Sequence, residues 1–254
     1  MKRAFAVLLV LAMLCASVAC GAGTTERTRS AEKPRKTEPV TTPTTEMPTT
    51  LPPVTTEAPT QPPTDEPTTP ALTGDILGKT DGLRYENATG GFCCEVPDTW
   101  YIASAEERAS MMGIAADFIG GDIGELLKNN TNYIDFYAAD TIDASSINVG
   151  IEKLPTANRM VDLDSYIDAL CPILEPVFAS SLSDYDEITA QRCTAAFLGE
   201  SISAMQITAK YTGITLHGRQ VYIFCQDYLL IVTVVCQGAD RTDELLAYFS
   251  EWDI

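Results

Sequence analysis

The chain has 254 residues and a formal net charge of −18 at pH 7. Residues before position 75 are balanced in charge, so the excess falls on the remainder, which has ten basic and 28 acidic residues. A surface of this sign repels phosphate backbones and anionic lipid headgroups. We therefore expect no nucleic acid among its partners, and any membrane contact should come from an anchor.

The N-terminus has the pattern of an export signal. Lys2-Arg3 precede an apolar run from Ala4 to Ala19, and small residues lead to Cys20. This order predicts a signal peptide at 1–19 and lipidation of Cys20, where a diacylglyceryl group supplies two-chain anchoring. Ser17 stands where such motifs usually have Leu, so ordinary secretory cleavage remains an alternative, as does an uncleaved apolar segment.

A low-complexity tract follows the anchor. Residues 24–71 contain 16 Thr and 11 Pro and no aromatic residue. Such a composition cannot bury enough apolar surface to offset the entropy of ordering. We interpret residues 20–74 as a lipidated N-terminus with a disordered Thr/Pro-rich linker, and a glycosylated stalk is the alternative.

Residues 75–254 are predicted to form one globular domain. Two short strands, Leu83–Asn87 and Gly91–Val96, are separated by a turn, and the chain is extended again at Trp100–Ile102. Ser104 and Glu107 form a capping box that begins a helix. Its apolar stripe predicts that it continues to Gly120-Gly121.

The middle of the domain is predicted to contain two strands and a helix. The strands are Tyr133–Ala138 and Ser146–Lys153, and alternation in the second places Asn148 and Glu152 on the face opposite its aliphatic residues. A helix capped by Asp162 follows. Its internal Pro172 predicts a kink there or an end near Cys171.

The C-terminal third is predicted to be mostly strand. The four segments are Glu187–Leu198, Ile202–Thr212, Arg219–Gln226 and Tyr228–Gln237. The last is apolar on both faces, which predicts a central strand. A final helix capped by Asp240 carries a stripe of Leu245, Phe249 and Trp252. The fold class is therefore α+β, an antiparallel sheet covered by helices.

One stretch resembles a known family. Gly91-Phe92, Pro97 and Trp100 are similar to the G-F-x-x-x-x-P-x-x-W opening of PsbP-like domains, and the order of elements from Leu83 to Trp252 is similar to that of the PsbP/DcrB group. The resemblance implies an α/β/α sandwich of the Mog/PsbP fold and a non-enzymatic binding or assembly role. No ligand-binding residue of a characterised member can be matched.

Cysteine usage leaves two interpretations open. Six cysteines follow the anchor, and an even number in an exported chain permits three disulfides. Most of them lie in apolar runs, where a free thiol packs as a small hydrophobe, and we favour buried free thiols. They are Cys93, Cys94, Cys171, Cys193, Cys225 and Cys236.

Candidate catalytic groups are few. His217, the single histidine, is predicted in a turn between strands, where a surface role is expected rather than a catalytic one. The acidic residues lack the spacing of a calcium loop, and no cysteine pair has zinc-ligand spacing. We expect no catalytic residue, metal or cofactor. The acids concerned are Asp117, Asp122, Glu125, Asp135, Asp140 and Asp143.

These features together predict a surface lipoprotein. It is anchored in the cell membrane through Cys20, faces the extracellular side, and carries a non-catalytic domain that binds an unidentified envelope protein or ligand. The alternative is an envelope enzyme, hydrolytic or thiol-redox, which needs a concave site with a strongly perturbed titratable group.

Overall fold

A computed structural model of the protein describes residues 76–112, 132–154, 161–182 and 185–252. These residues form two antiparallel sheets and three helices. The strands are β1 Lys79–Asp81, β2 Arg84–Asn87, β3 Phe92–Glu95, β4 Trp100–Ile102, β5 Asn132–Asp140, β6 Ser146–Lys153, β7 Asp186–Phe197, β8 Glu200–Tyr211, β9 Ile214–Cys225, β10 Tyr228–Gln237 and β11 Phe249–Glu251. The helices are α1 Ala105–Met111, α2 Leu163–Ser181 and α3 Thr242–Leu246.

The large sheet has seven strands in the order β4-β5-β6-β10-β9-β8-β7. β10 occupies its centre, as its two apolar faces predict, and pairs with β6 on one side and β9 on the other. Val232 of β10 lies between Val149 and Val221 in this register. The four-strand meander β7 to β10 and the strand at Ser146–Lys153 are thus confirmed.

A smaller sheet, in the order β1-β2-β3-β11, covers one face of the large sheet. Tyr85 of β2 stacks on Phe136 of β5 with ring centroids 4.7 Å apart, and Phe92 meets Phe197 edge-on at 6.1 Å. We call this side of the large sheet the β-covered face. The fold is therefore α+β and antiparallel, but it is richer in sheet than the helix-covered arrangement expected from the sequence.

Helix α2 covers the other side of the large sheet, the helix-covered face. Its buried residues Ile167, Leu174 and Phe178 pack with Ile231 of β10 and Leu229 beside it. Asp162 caps its start by accepting a hydrogen bond from Ser165 N–H at 2.9 Å. Burying this stripe is what fixes the helix on the sheet, since propensity alone stabilises a helix only marginally.

The predicted end of this helix near Cys171 is wrong. α2 continues without interruption through Pro172 and Pro176 to Ser181. Both prolines are exposed, so the carbonyl groups that lose an intrahelical partner lie on the side where water can solvate them. The buried stripe on the opposite side then outweighs the cost of the missing hydrogen bonds.

Helix α1 begins with the predicted capping box. Glu107 N–H donates to Ser104 Oγ at 3.3 Å, and Ser104 N–H donates to Glu107 Oε2 at 2.8 Å. The described helix ends at Met111, and its predicted continuation to Gly120-Gly121 lies outside the described residues.

Two boundaries in the C-terminal part differ from the prediction. β9 begins at Ile214 rather than Arg219, because His217 and Gly218 pair with strands on both sides instead of forming a turn. The last helix ends at Leu246, and Phe249 lies in β11, which pairs with β3. This segment pairs with the otherwise free edge of β3. The hydrogen bonds of that pairing outweigh the preference for a helix that its apolar spacing indicates.

Candidate functional site

A groove of about 530 Å³ opens at one end of the large sheet. We call it the hairpin groove because the β7–β8 hairpin forms part of its wall. The β2–β3 turn, the end of β9, the start of α2 and the segment after β11 complete it. Its lining residues are Gly90, Gly91, Leu163, Phe197, Leu198, Glu200, Ile202, Tyr222, Ile223, Phe224, Glu251 and Trp252.

The hairpin at the groove is a two-residue turn, Leu198-Gly199. Both residues have positive φ, 50° and 77°, as the twist of a tight hairpin requires. Gly199 adopts this conformation freely, whereas a residue with a Cβ, such as Leu198, does so at a cost of roughly 1–2 kcal/mol. Leu198 packs against the apolar core, so the hairpin holds an aliphatic side chain at the groove despite the backbone strain.

Aromatic rings form the wall on the helix-covered side. Tyr166 of α2 contacts Phe224 edge-on at 5.4 Å and Tyr222 edge-on at 5.8 Å. Phe224 remains 37% exposed although it is a large apolar residue. An exposed ring held in place by an edge contact offers a preformed surface for an apolar or aromatic ligand group.

The charged residues of the groove are both acidic. Glu200, from β8 of the large sheet, and Glu251, from β11 of the small sheet, are exposed. No Lys, Arg or His is among the described lining residues. The ion pairs formed within the described ranges involve neither glutamate. The groove therefore combines apolar walls with negative charge that no ion pair among the described residues neutralises.

A second groove of about 560 Å³ lies between α2 and the start of β7. It is lined on the helix side by Pro172, Pro176 and Ala179, and on the strand side by Tyr185 and Ile188 together with acidic residues. Glu187 in its wall forms an ion pair with Lys210. This groove has a single aromatic residue, so it offers less apolar contact than the hairpin groove.

His217 lies within β9 and not in the turn that the sequence predicts. Its Nε2 lies 3.1 Å from the carbonyl oxygen of Gly238, and its Nδ1 is 3.8 Å from Asp240 Oδ2. Burial opposes ionisation of Asp240, but hydrogen bonds from Thr242 and the charges of His217 and Arg219 outweigh it and lower its pKa. These contacts fix the loop before α3, and none of them presents a nucleophile to the imidazole.

All six cysteines of the described residues are free thiols. Cys93 and Cys94 lie on opposite faces of β3, the first 3.0 Å from Ser250 Oγ and the second in the apolar core. Burial raises the pKa of Cys94, and it raises that of Cys225 to about 11. Burial also raises the thiol pKa values of Cys171, Cys193 and Cys236. A thiol that stays protonated is a poor nucleophile.

The predicted loop acids have structural partners where the structure describes them. Asp140 and Asp143 accept backbone hydrogen bonds within the β5–β6 turn, and Asp143 also pairs with Arg241. Asp135 is buried between the two sheets. The described ranges contain no group of ligands that could hold a metal ion. Asp117, Asp122 and Glu125 lie outside them.

Two polar residues of β6 lie on the face opposite its aliphatic residues, as predicted, and both are buried. Asn148 is 2% and Glu152 3% exposed, since the helix-covered face is itself enclosed. Asn148 Nδ2 and Glu152 Oε1 form no hydrogen bond with the described residues. Burial raises the pKa of Glu152 to about 8, so this carboxyl holds its proton at neutral pH.

Asn148 belongs to a buried polar row across the sheet. It lies between Tyr137 of β5 and Thr233 of β10. Gln220 donates to Thr233 Oγ1 at 3.2 Å, and Tyr222 donates to Gln220 Oε1 at 2.7 Å. The row ends at Tyr222, which also lines the hairpin groove.

The predicted anchor lies outside the described residues, which begin after Cys20 and the linker. Within the described ranges, no helix has the length and hydropathy to cross a membrane.

Sequence reasoning missed the residues of the hairpin groove. Leu198-Gly199 is recognisable as a turn, but the groove needs the end of β9 and the segment after β11 to meet there. One signal was available: Tyr222, Ile223 and Phe224 are consecutive apolar residues at a strand end, where a half-exposed strand alternates. Such an excess marks apolar surface beyond what the core requires.

Comparison with known proteins gives a structural match. No family model matches the sequence, and no curated protein matches significantly. Among solved structures, the chain matches the solution structure of cyanobacterial PsbP from Synechocystis sp. PCC 6803, at 13% identity and a TM-score of 0.39, covering 71% of this chain and 96% of that one. The matched structure is of a PsbP protein, the group that the Gly91–Trp100 opening resembles. No ligand or partner is transferred from it.

Proposed function

We propose that this protein is a lipid-anchored binding protein of the cell envelope. Cys20 carries the anchor on the extracellular face of the cell membrane, and the Thr/Pro-rich linker extends the domain away from it. The domain, a sheet-rich variant of the PsbP-like sandwich, binds a ligand or an envelope protein without catalysis. The hairpin groove is the binding site.

The observation that carries this proposal is the composition of the groove. Its volume lies within the roughly 300–1,000 Å³ typical of ligand sites, and such sites are mostly apolar with a few polar groups. Eight lining residues are large and apolar or aromatic, and two glutamates supply charge. A preformed concavity of this kind favours binding over a role as a filled structural module.

The groove does not support the enzymatic alternative. Hydrolysis by a serine or cysteine nucleophile needs an adjacent base, and no Ser, Cys or His is among the described lining residues. The thiols whose pKa is raised lie in strands or in α2, and all of them except Cys193 are buried. The buried Glu152, which has a strongly raised pKa, is not among the residues that line either groove.

A neutral apolar dye tests the site. Nile red should bind the full chain with a rise in fluorescence, and Phe224→Ala should weaken its binding by about five- to tenfold because the ring supplies much of the apolar wall. Tyr211→Ala is the matched control, since Tyr211 is 36% exposed, lies outside the groove lining and contacts the ring of Tyr185 at 5.3 Å. Equal effects of the two substitutions, or no binding at all, would refute the groove as the site.

A further inference from the structure

We infer that the hairpin groove takes a cationic amphipathic segment, a stretch of polypeptide in which an apolar or aromatic side chain is flanked by Lys or Arg. This inference rests on the proposed function and specifies the chemistry of its ligand. The apolar side chain occupies the groove, and the flanking cations lie beside Glu200 and Glu251.

The positions of the two glutamates support a segment rather than a point charge. Glu200 follows the β7–β8 hairpin in the large sheet, whereas Glu251 ends β11 in the small sheet. Carboxylates supplied by separate sheets border one groove, so a ligand with a cation on each side of its apolar group can meet both. Apolar contact then supplies affinity, and the charges supply selectivity.

The aromatic lining favours the same ligand. Tyr222, Phe224 and Trp252 line the groove, and the face of an aromatic ring attracts Lys and Arg as well as apolar groups. A Lys or Arg of the ligand that is not paired with a glutamate can therefore still bind favourably to a ring face. An anionic ligand would meet both the ring faces and the carboxylates with the wrong sign.

The charge of the whole domain excludes other occupants. The −18 net charge falls on residues 75–254, so the field at the groove attracts cations and accelerates their association. A second copy of this chain and an anionic lipid surface are both repelled by that field. A cationic segment is the occupant whose charge is complementary.

Three labelled peptides test the inference on the full chain. They share one tryptophan and a neutral fluorescent label and differ only in flanking residues, which are Lys, Ser or Glu on both sides. Fluorescence anisotropy should show the Lys peptide binding about tenfold tighter than the Glu peptide, and raised salt should reduce the difference.

Charge-removing variants locate the effect. Glu200→Gln combined with Glu251→Gln should weaken Lys-peptide binding by about three- to tenfold and leave Ser-peptide binding unchanged. Glu106→Gln, at an exposed position on α1 away from the groove, is the matched control and should change neither. If the control weakens Lys-peptide binding as much as the double variant does, the groove glutamates are not the determinant and the inference is wrong.

The outcomes separate this inference from the proposed function. Equal binding of the Lys and Ser peptides identifies a neutral apolar ligand, and a preference for the Glu peptide identifies an anionic one. Either overturns the inference while the groove remains a binding site. Binding of Nile red without binding of any peptide also overturns the inference alone, whereas failure of the dye and of all peptides refutes both.

Discussion

Tyr85 donates its hydroxyl to Asp135 Oδ2 at 2.6 Å and so joins the small sheet to the large one. The same carboxylate oxygen accepts the Gly78 N–H at 2.7 Å, and Asn87 Nδ2 donates to the Tyr85 oxygen at 3.1 Å. Asp135 lies at a register shift in β5, between Ile134 and Phe136. This irregularity places a buried carboxylate where the two sheets meet.

Tyr85→Phe should lower the free energy of unfolding by about 1–3 kcal/mol, because it removes a hydrogen bond to a buried carboxylate and leaves the ring in place. Urea unfolding of the full chain measures the loss. Tyr211→Phe, at an exposed tyrosine, should change stability by under about 0.5 kcal/mol. If the urea midpoint of Tyr85→Phe is as high as that of Tyr211→Phe, this hydrogen bond does not stabilise the contact between the sheets.

Glu152→Gln should change how stability depends on pH. The folded pKa of about 8 lies above the ordinary value of 4.5, so the folded chain holds a proton that the unfolded chain releases between these values. The contribution of Glu152 to the free energy of unfolding is therefore fully present below about pH 4.5. It is lost as the pH rises to about 8, by about 1.4 kcal/mol for each pH unit in that window. Gln cannot ionise, so the variant should gain stability relative to the wild type as pH rises.

Urea midpoints at pH 5 and pH 8 measure this difference. The other titrating groups are the same in both proteins, so their contributions to stability cancel when the two are compared. The exposed Glu106→Gln variant serves as the control. A difference between Glu152→Gln and the wild type that is the same at both pH values would mean that Glu152 is ionised in the folded protein.

Trp100→Ala should lower stability by about 3–5 kcal/mol, a large share of the total for a domain. Trp100 is 7% exposed and meets Tyr248 edge-on at 5.7 Å. Trp252, half-buried at the hairpin groove, provides the comparison, and Trp252→Ala should cost less. A Trp100→Ala midpoint equal to the wild type would assign this residue to a surface role.

Cys20→Ala should move the protein from the membrane fraction to the medium, or leave it as an uncleaved precursor, because the thiol that carries the lipid is lost. Fractionation of intact cells followed by immunoblotting measures this. Cys15→Ala, within the predicted signal peptide, is the control and should stay with the membrane. If the Cys20 variant remains processed and membrane-bound, the lipoprotein proposal is wrong.

The features that sequence predicted well depend on neighbouring residues. The capping box of Ser104 and Glu107 and the boundaries of Tyr228–Gln237 follow from spacing over a few positions. The errors have a common cause, since each depends on a distant partner. α2 continues past Cys171 because the sheet buries its opposite side, and Phe249 joins a strand because β3 has a free edge.

The candidate site was less predictable for the same reason. Phe197, Phe224 and Trp252 are far apart in the chain and meet only because two sheets and a helix end at one place. No local pattern encodes that meeting. The acidic charge was visible in the composition, but its position beside an apolar groove was not.

The position of β10 determines the order in which the protein can be completed. Its partner β6 ends at Lys153, so the large sheet cannot close until synthesis has passed Gln237. β11 pairs with β3 across a still longer separation. Pairings this distant in sequence make folding slow, and a chain lacking its last 27 residues, from Tyr228 on, leaves β6 and β9 without the strand that joins them. The large sheet is therefore completed only late in synthesis, after Gln237 has been made.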